Sequence, residues 1–125
     1  MEKVEIEEIL KNGENQQTIF KEYVKSPEKF APDIVALTNS NGGNIFIGVD
    51  EKGAIKGLSD EEAESTWQLV LNSTFEYVKP PLYPKLNYIE FNDKYIIVVN
   101  VSIGVNKPYC TNKGEFLVRK KAKKC

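Results

Sequence analysis

Residues 32–50 of the chain, PDIVALTNSNGGNIFIGVD, decide its fold because they predict a helix, a sharp turn and a buried strand in immediate succession. The apolar residues before the turn recur at the spacing of one helix face. The Asn-Gly-Gly run at 41–43 ends this helix, because these residues accept a positive φ. The nearly continuous apolar run at 44–49 is typical of a strand covered on both faces. Residues 50–53 then predict a tight turn.

The rest of the chain adds helices and strands to this unit. An α+β fold follows: one compact domain, residues 1–125, with a mixed or mainly antiparallel sheet of about five or six strands and two main flanking helices. The predicted elements are a helix or extended arm at 1–11, a strand at 18–24, a short helical turn from Ser26, a helix at 59–78 that Ser59 caps, strands at 82–91 and 95–101, a final strand at 115–119, and a basic tail at 121–125.

Composition restricts the possible functions. The 125 residues suit one domain, and 17 Lys and Arg against 18 Asp and Glu give a net charge of -1, so any attraction for nucleic acid must come from a local patch. No apolar run is long enough to cross a membrane, and the N-terminus lacks a signal-peptide pattern, so we expect a cytoplasmic protein. The two cysteines, Cys110 and Cys125, are expected to be free thiols.

The chain has no histidine. This excludes serine and cysteine nucleophiles that depend on an imidazole base, and it excludes histidine-ligated metals. The Gly-rich turn is not followed by the Gly-Lys-Ser/Thr ending of a P-loop, so ATP hydrolysis by that mechanism is not predicted. Any catalysis has to use carboxylates, Lys, Tyr or a cation held by oxygen ligands. We predict no cofactor and no bound metal.

The segment ALTNSNGGNIFIGVDEKGAIKG, residues 36–57, resembles the signature of the AlbA-like (AlbA_2) domain found in Schlafen proteins and in bacterial transcriptional regulators, formerly called a divergent AAA domain. Three further matches, one before this segment and two after it, are in the expected order and extend the resemblance over residues 12–120. These are Gly13-Glu14 with Phe20-Lys21, Lys107-Pro108-Tyr109, and Phe116-Leu117-Val118-Arg119. The resemblance implies a nucleic-acid-associated domain.

The resemblance also implies a possible acidic site. In the nuclease members, two glutamates near the first strand and an aspartate after the buried strand hold a divalent metal for RNA cleavage. Glu14 matches the first glutamate and Asp50 the aspartate, whereas Ile19 replaces the second glutamate. An apolar side chain cannot ligate a cation. We therefore name Glu14 and Asp50 only as candidate catalytic residues and favour a function that is not enzymatic. The alternative for both is a turn or loop acid.

The predicted nucleic-acid site is a surface with several basic residues. The C-terminal residues are basic, and the resemblance brings the Pro-Tyr loop and the Arg-bearing strand to one side of the domain. Asn39 and the turn at 41–43 can expose backbone and side-chain amides to a phosphate, although glycine there can equally serve only to end the helix. The terminal lysines can likewise be only a solubilising tail. The candidate nucleic-acid-binding residues are Lys21, Asn41, Gly42, Gly43, Lys107, Tyr109, Arg119, Lys120 and Lys121.

The sequence is therefore consistent with three functions. The preferred one is a DNA-binding domain of a transcriptional regulator, which would contact phosphates with little base discrimination. The second is a Schlafen-like metal-dependent endoribonuclease. The third is a protein-interaction or dimerisation domain, and a homodimer is one candidate form of the protein. DNA or RNA is the expected partner, and no membrane association is predicted.

Overall fold

The computed structural model describes residues 1–120 and the backbone of residues 123–124, so the predicted contact residue Lys121 lies outside the described residues. Three α-helices and eight short strands make up this part of the chain. In order they are α1 Lys3–Asn12, β1 Thr18–Lys21, α2 Pro27–Thr38, β2 Gly43–Ile47, α3 Asp60–Glu76, β3 Val78–Lys79, β4 Lys85–Phe91, β5 Lys94–Val101, β6 Cys110–Thr111, β7 Arg119–Lys120 and β8 Lys123–Lys124.

A four-stranded mixed sheet of order β1-β2-β5-β4 forms the centre of the molecule. β1 and β2 are parallel, and α2 connects them, as a parallel pair requires. β5 is antiparallel to both β2 and β4. The other strands form two separate antiparallel pairs, β3–β6 and β7–β8. The predicted α+β class with a mixed sheet is confirmed. The eight strands are divided between the central four-stranded sheet and the two smaller pairs.

The two faces of the sheet bury two different clusters because successive strand residues point to opposite sides. α2 and α3 cover the face that carries Ile19, Ile45 and Val99. The other face carries Phe20 and Phe46, and α1 covers it with its buried residues. The amphipathic N-terminal segment is therefore a helix, and each large side chain that it buries contributes about 1.5–3 kcal/mol.

Local sequence signals set the helix ends. Ser26 caps α2, where its Oγ accepts a hydrogen bond from the N–H of Lys29 at 3.2 Å, and α2 then runs without a break through Pro32. The expected separation into a short turn and a second helix was wrong, since Pro32 removes only one donor. The predicted capping box of α3 is confirmed by reciprocal bonds between Ser59 and Glu62. Within the described residues, every helix is too short or too polar to cross a bilayer.

Three strand predictions need correction. The strand expected at 18–24 ends at Lys21. The strand expected at 82–91 begins only at Lys85, because Pro84 has no N–H for the ladder. The strand expected at 115–119 is absent except for Arg119 in β7. The backbone there is satisfied by side chains instead: Asn39 donates to the Leu117 carbonyl, and Ser40 accepts from the Arg119 N–H.

We expect Gly43→Ala to destabilise the fold severely. Gly43 has a φ of +150°, and a β-carbon at this position would overlap the backbone of Gln17. The strain should lower the free energy of unfolding by at least about 2 kcal/mol, measured by urea denaturation. Gly114→Ala is the matched control, since Gly114 has a φ of +81° but open space around it, and should cost only about 1 kcal/mol. Equal losses in both variants would contradict this account.

Candidate nucleic-acid interface

The side-chain amide of Asn39, directly after α2, binds two distant loops. Its Nδ2 donates to the carbonyls of Tyr109 at 2.8 Å and Leu117 at 2.9 Å, and its Oδ1 accepts from the Tyr109 N–H at 2.7 Å. Three of its possible bonds are therefore made inside the protein. The expectation that this amide is free for a ligand is not met; instead it fixes the Pro-Tyr loop and the chain before β7 beside the Gly-rich turn.

Ser40 extends this attachment to the C-terminal hairpin. Its Oγ accepts from the Arg119 N–H at 2.7 Å, and its carbonyl accepts from Lys107 Nζ at 3.1 Å. Arg119 is buried, and its guanidinium donates to the carbonyls of Asn15 at 2.7 Å and Gln16 at 3.3 Å. Arg119 thus joins β7 to the loop before β1. Tyr109 is also buried, at 4% exposure, so both residues support the surface from beneath.

The glycines of the turn allow close packing. Gly42 has a φ of +72°, and its N–H donates to the Leu37 carbonyl at 2.8 Å, which closes the end of α2. A β-carbon on Gly42 would lie 2.6 Å from the Val101 carbonyl oxygen. The next N–H after Gly43, that of Asn44, donates to the Gln17 carbonyl. These donors are used within the fold, which supports the structural explanation of the Gly-Gly pair over the phosphate cradle.

A polar cleft of about 550 Å³ opens beside this turn. Asn44 and Asn100 face each other across β2 and β5, and Asn100 Nδ2 donates to Asn44 Oδ1 at 3.0 Å. The exposed Asn41 is at the rim, and Gln17 Nε2 donates to its carbonyl at 3.2 Å. The cleft offers amide donors and acceptors, and Asn41 is the predicted site residue that lines it with an exposed side chain. Gly43 contributes backbone only.

A second cavity, about 250 Å³ in volume, lies at the opposite end of β1. Lys21, Lys25 and Lys29 line it together with the exposed Tyr23. Lys21 Nζ forms an ion pair at 2.9 Å with the buried carboxylate of Asp33. Of these three lysines, only Lys21 was among the binding residues predicted from the sequence. The spacing of four between the three lysines was visible, but a strand, a loop and a helix bring them together.

Glu14 has an intramolecular role in the structure. Its Oε1 accepts a hydrogen bond of 2.8 Å from the N–H of Phe20, across a tight turn closed by backbone bonds between Asn15 and Thr18. Phe20 pairs with Phe46 in β2, so the Glu14 carboxylate lies beside the middle of β1. Ile19, at the position of the missing glutamate, is buried in the core on the α2 face.

Asp50 organises the turn after β2. Its Oδ1 accepts from the N–H groups of Lys52 and Ala54, both at 2.9 Å, and its Oδ2 lies 3.9 Å from Lys56 Nζ. The bond from Ala54 is the main reason why the pKa of Asp50 lies below its ordinary value of 3.8. Within the described part of the chain, no group of three acidic or cysteine side chains is close enough to hold a metal.

The remaining predicted cations are exposed near the Asn39 attachment. Lys107 is exposed and hydrogen-bonded to Ser40 as described, and Lys120 is exposed in β7. β7 pairs with β8, which contacts α2. One end of the β1–α2 unit therefore carries Lys107 and Lys120, and the other carries the three-lysine cavity.

We expect Asn39→Ala to destabilise the protein by about 2–4 kcal/mol, because it removes three hydrogen bonds and leaves buried backbone groups of Tyr109 without partners. Chemical denaturation measures the loss. Asn41→Ala removes the neighbouring exposed amide and should change stability by no more than about 0.5 kcal/mol. Similar effects for both variants would show that Asn39 is not the point of attachment.

The pKa of Asp50 provides a second check. Ionised Asp50 accepts the turn hydrogen bonds, so its pKa is lower in the folded state than in the unfolded chain. Its contribution to stability is complete above the unfolded value and is lost as the pH falls through the lower folded value. A carboxyl-carbon NMR titration should give a midpoint below 3.8. A midpoint at or above that value would contradict the turn-capping role.

Two solved structures share this fold at low sequence identity. The DIP2311 protein of Corynebacterium diphtheriae is 15% identical with a TM-score of 0.69 over 88% of this chain, which spans only 22% of that protein. The N-terminal domain of a protein related to the ATP-dependent DNA helicase RecG, from Nitrosomonas europaea, is 19% identical with a TM-score of 0.70. This match covers 86% of this chain and 78% of that domain. No curated protein matches the chain significantly.

A family model described as Schlafen, AlbA_2 matches residues 14–124, which is nearly the whole chain. The match includes the Gly-rich turn, the Asn39 attachment and the β7–β8 pair. It confirms the resemblance carried by residues 36–57. The chain is therefore a member of the Schlafen AlbA_2 family.

Proposed function

We propose that this domain binds nucleic acid without cleaving it, through phosphate contacts along the β1–α2 side of the molecule. We call this surface the cationic edge: Lys21, Lys25 and Lys29 at one end, Lys107 and Lys120 at the other. The observation that carries the proposal is the convergence of three lysines on one cavity in a chain whose net charge is only -1. A local field of this kind attracts a polyanion where the whole molecule does not.

In the three-lysine cavity, Lys25 and Lys29 supply most of the positive charge that is available to a phosphate. Lys21 is offset by Asp33 at 2.9 Å, which fixes its position beneath the cavity. Among the described residues, Lys25 and Lys29 form no ion pair. Lys25 Nζ lies 5.9 Å from the ring centre of Tyr23, a cation–π contact that leaves the ammonium group near the surface. Both ammonium groups are therefore available to a phosphate.

Tyr23 adds a surface for stacking. It is 58% exposed at the rim of the three-lysine cavity. An exposed aromatic ring beside cations suits an unpaired base whose phosphates lie on the lysines, and such stacking contributes about 1–3 kcal/mol per base. The edge therefore suits single-stranded or locally opened nucleic acid, with little dependence on base identity.

The other end of the cationic edge completes the proposed contact surface. Lys107 and Lys120 lie on segments that Asn39 and Arg119 hold in place, so their backbones need no rearrangement on binding. The cleft lined by Asn41 and Asn44 is beside them and can hydrogen-bond to sugar or base edges. Buried Arg119 and Tyr109 act as supports in this proposal, and the exposed lysines make the contacts.

The family supports the broader part of this proposal, as does the likeness to the N-terminal domain of a helicase-related protein. We further propose DNA as the preferred polymer, a role within a transcriptional regulator and action in the cytoplasm. A homodimer stays one candidate form. The metal-dependent endoribonuclease is the competing function. It would require Glu14 and Asp50 to exchange their present backbone partners for a metal.

We expect the double variant Lys25→Gln/Lys29→Gln to bind a fluorescent single-stranded oligonucleotide about tenfold more weakly than the parent chain at low salt. The magnitude of the slope of log K against log salt should decrease by about 1.4, because each phosphate contact to a single strand contributes about 0.7. Fluorescence anisotropy with DNA and RNA, in EDTA, measures both quantities. Equal affinity of parent and variant would refute the proposal.

The matched control is Lys3→Gln/Lys94→Gln. It removes the same charge at the opposite edge of the sheet, where Lys3 lies over Phe91 and Lys94 pairs with Phe91. This control should bind like the parent. A parallel incubation with Mg²⁺ or Mn²⁺ tests the enzyme: cleavage that is lost in Glu14→Gln would establish the endoribonuclease instead.

A further inference from the structure

Three aromatic rings form a continuous row on the side of the molecule opposite the cationic edge. Trp67 of α3 lies over Tyr88 of β4, with ring centres 4.4 Å apart and planes inclined at 32°. Tyr88 contacts Tyr95 of β5 edge to face, with centres 6.0 Å apart. Tyr88 is nevertheless 44% exposed, so the row does not end in the core but opens to solvent.

A pocket of about 420 Å³ lies where this row meets the first turns of α3. Tyr88 and Tyr95 form one wall, because β4 and β5 present both on the α3 face of the sheet. The small side chain of Ala63 forms the floor and leaves room above it. Asp60 and Glu64 line the pocket from the α3 side, and the Asp60 side chain interacts directly with Tyr95. The two acids are four residues apart, so they lie on the same side of α3.

The electrostatics of this pocket are negative. Loss of water around the hydroxyl, and then the charge of Glu64, raise the pKa of Tyr88 above 10.0. The charge of Asp60, followed by that of Glu90, raises the pKa of Tyr95. Both tyrosines therefore remain neutral at physiological pH, and the faces of their rings add to the negative potential of the two carboxylates.

We propose that this pocket, which we call the aromatic pocket, binds an arginine side chain of a partner protein. A guanidinium group is planar and weakly hydrated, so it can lie against Tyr88 and donate to Asp60 and Glu64 at the same time. A lysine ammonium is a compact, strongly hydrated charge and does not match this combination of a flat aromatic wall and two adjacent carboxylates. The site is independent of the proposed nucleic-acid edge.

The chain offers a direct probe, since Trp67 is its single tryptophan and stacks on Tyr88. The indole N–H gives one resolved NMR signal that reports on the pocket. We expect titration with a capped Gly-Arg-Gly peptide to shift this signal saturably. The same peptide with citrulline, which keeps the shape but lacks the charge, should bind at least about fivefold more weakly, and so should a Gly-Lys-Gly peptide.

Two variants of the full chain test the residues. Glu64→Gln, an exposed and isosteric change, should weaken arginine-peptide binding about fivefold, and Tyr88→Leu should do the same. Glu76→Gln, at the far end of α3, removes the same charge about 18 Å along the helix and should leave binding unchanged. The proposal is overturned by an absence of saturable shift at millimolar peptide, by equal binding of the arginine peptide and either comparison peptide, or by normal binding to Glu64→Gln.

Discussion

The side-chain amide of Asn39 is the constraint on which the arrangement of the segments around Tyr109 and Leu117 depends. It bonds to the backbones of Tyr109 and Leu117, which are 70 and 78 residues further along the chain. These segments contain little regular structure of their own, so few backbone bonds to other strands hold them. Backbone groups that are buried need hydrogen-bond partners, and here the Asn39 side chain supplies them. The hydrogen bonds of one side chain at the end of α2 thus hold segments that elsewhere in the fold are held by pairing with a neighbouring strand.

The two edges of the sheet carry surfaces of opposite charge. β1, at one edge, has a cavity lined by three lysines, whereas the surface near β4 joins two tyrosines to the carboxylates at the start of α3. Acids at a helix N-terminus are favourable because they oppose the positive end of the helix dipole. The near-neutral total charge therefore conceals two separated surfaces, each suited to a partner of the opposite sign.

The sequence predicts those structural elements that depend on residues close to one another in the chain. The turn and strand after Thr38 and the capping box of α3 depend on neighbours within four residues, and both are found as expected. The helix before the turn is also present, but it begins already at Pro27. Arg119 illustrates what a sequence conceals: in a run of cations it resembles a surface residue, but its partners Asn15 and Gln16 are over 100 positions away. The lysine cavity was missed for a different reason: its three lysines are close in sequence, but they belong to a strand, a loop and a helix that come together only after α2 has packed.

The bond between Arg119 and Asn15 has a consequence for synthesis of the protein. It joins residues 104 positions apart, and Asn15 belongs to the loop that leads into the edge strand β1. Contacts of such long range require most of the chain to be present before they form. During translation, the carbonyls of Asn15 and Gln16 therefore lack their guanidinium partner until Arg119 has left the ribosome, and a nascent chain stalled before Arg119 leaves this loop backbone exposed.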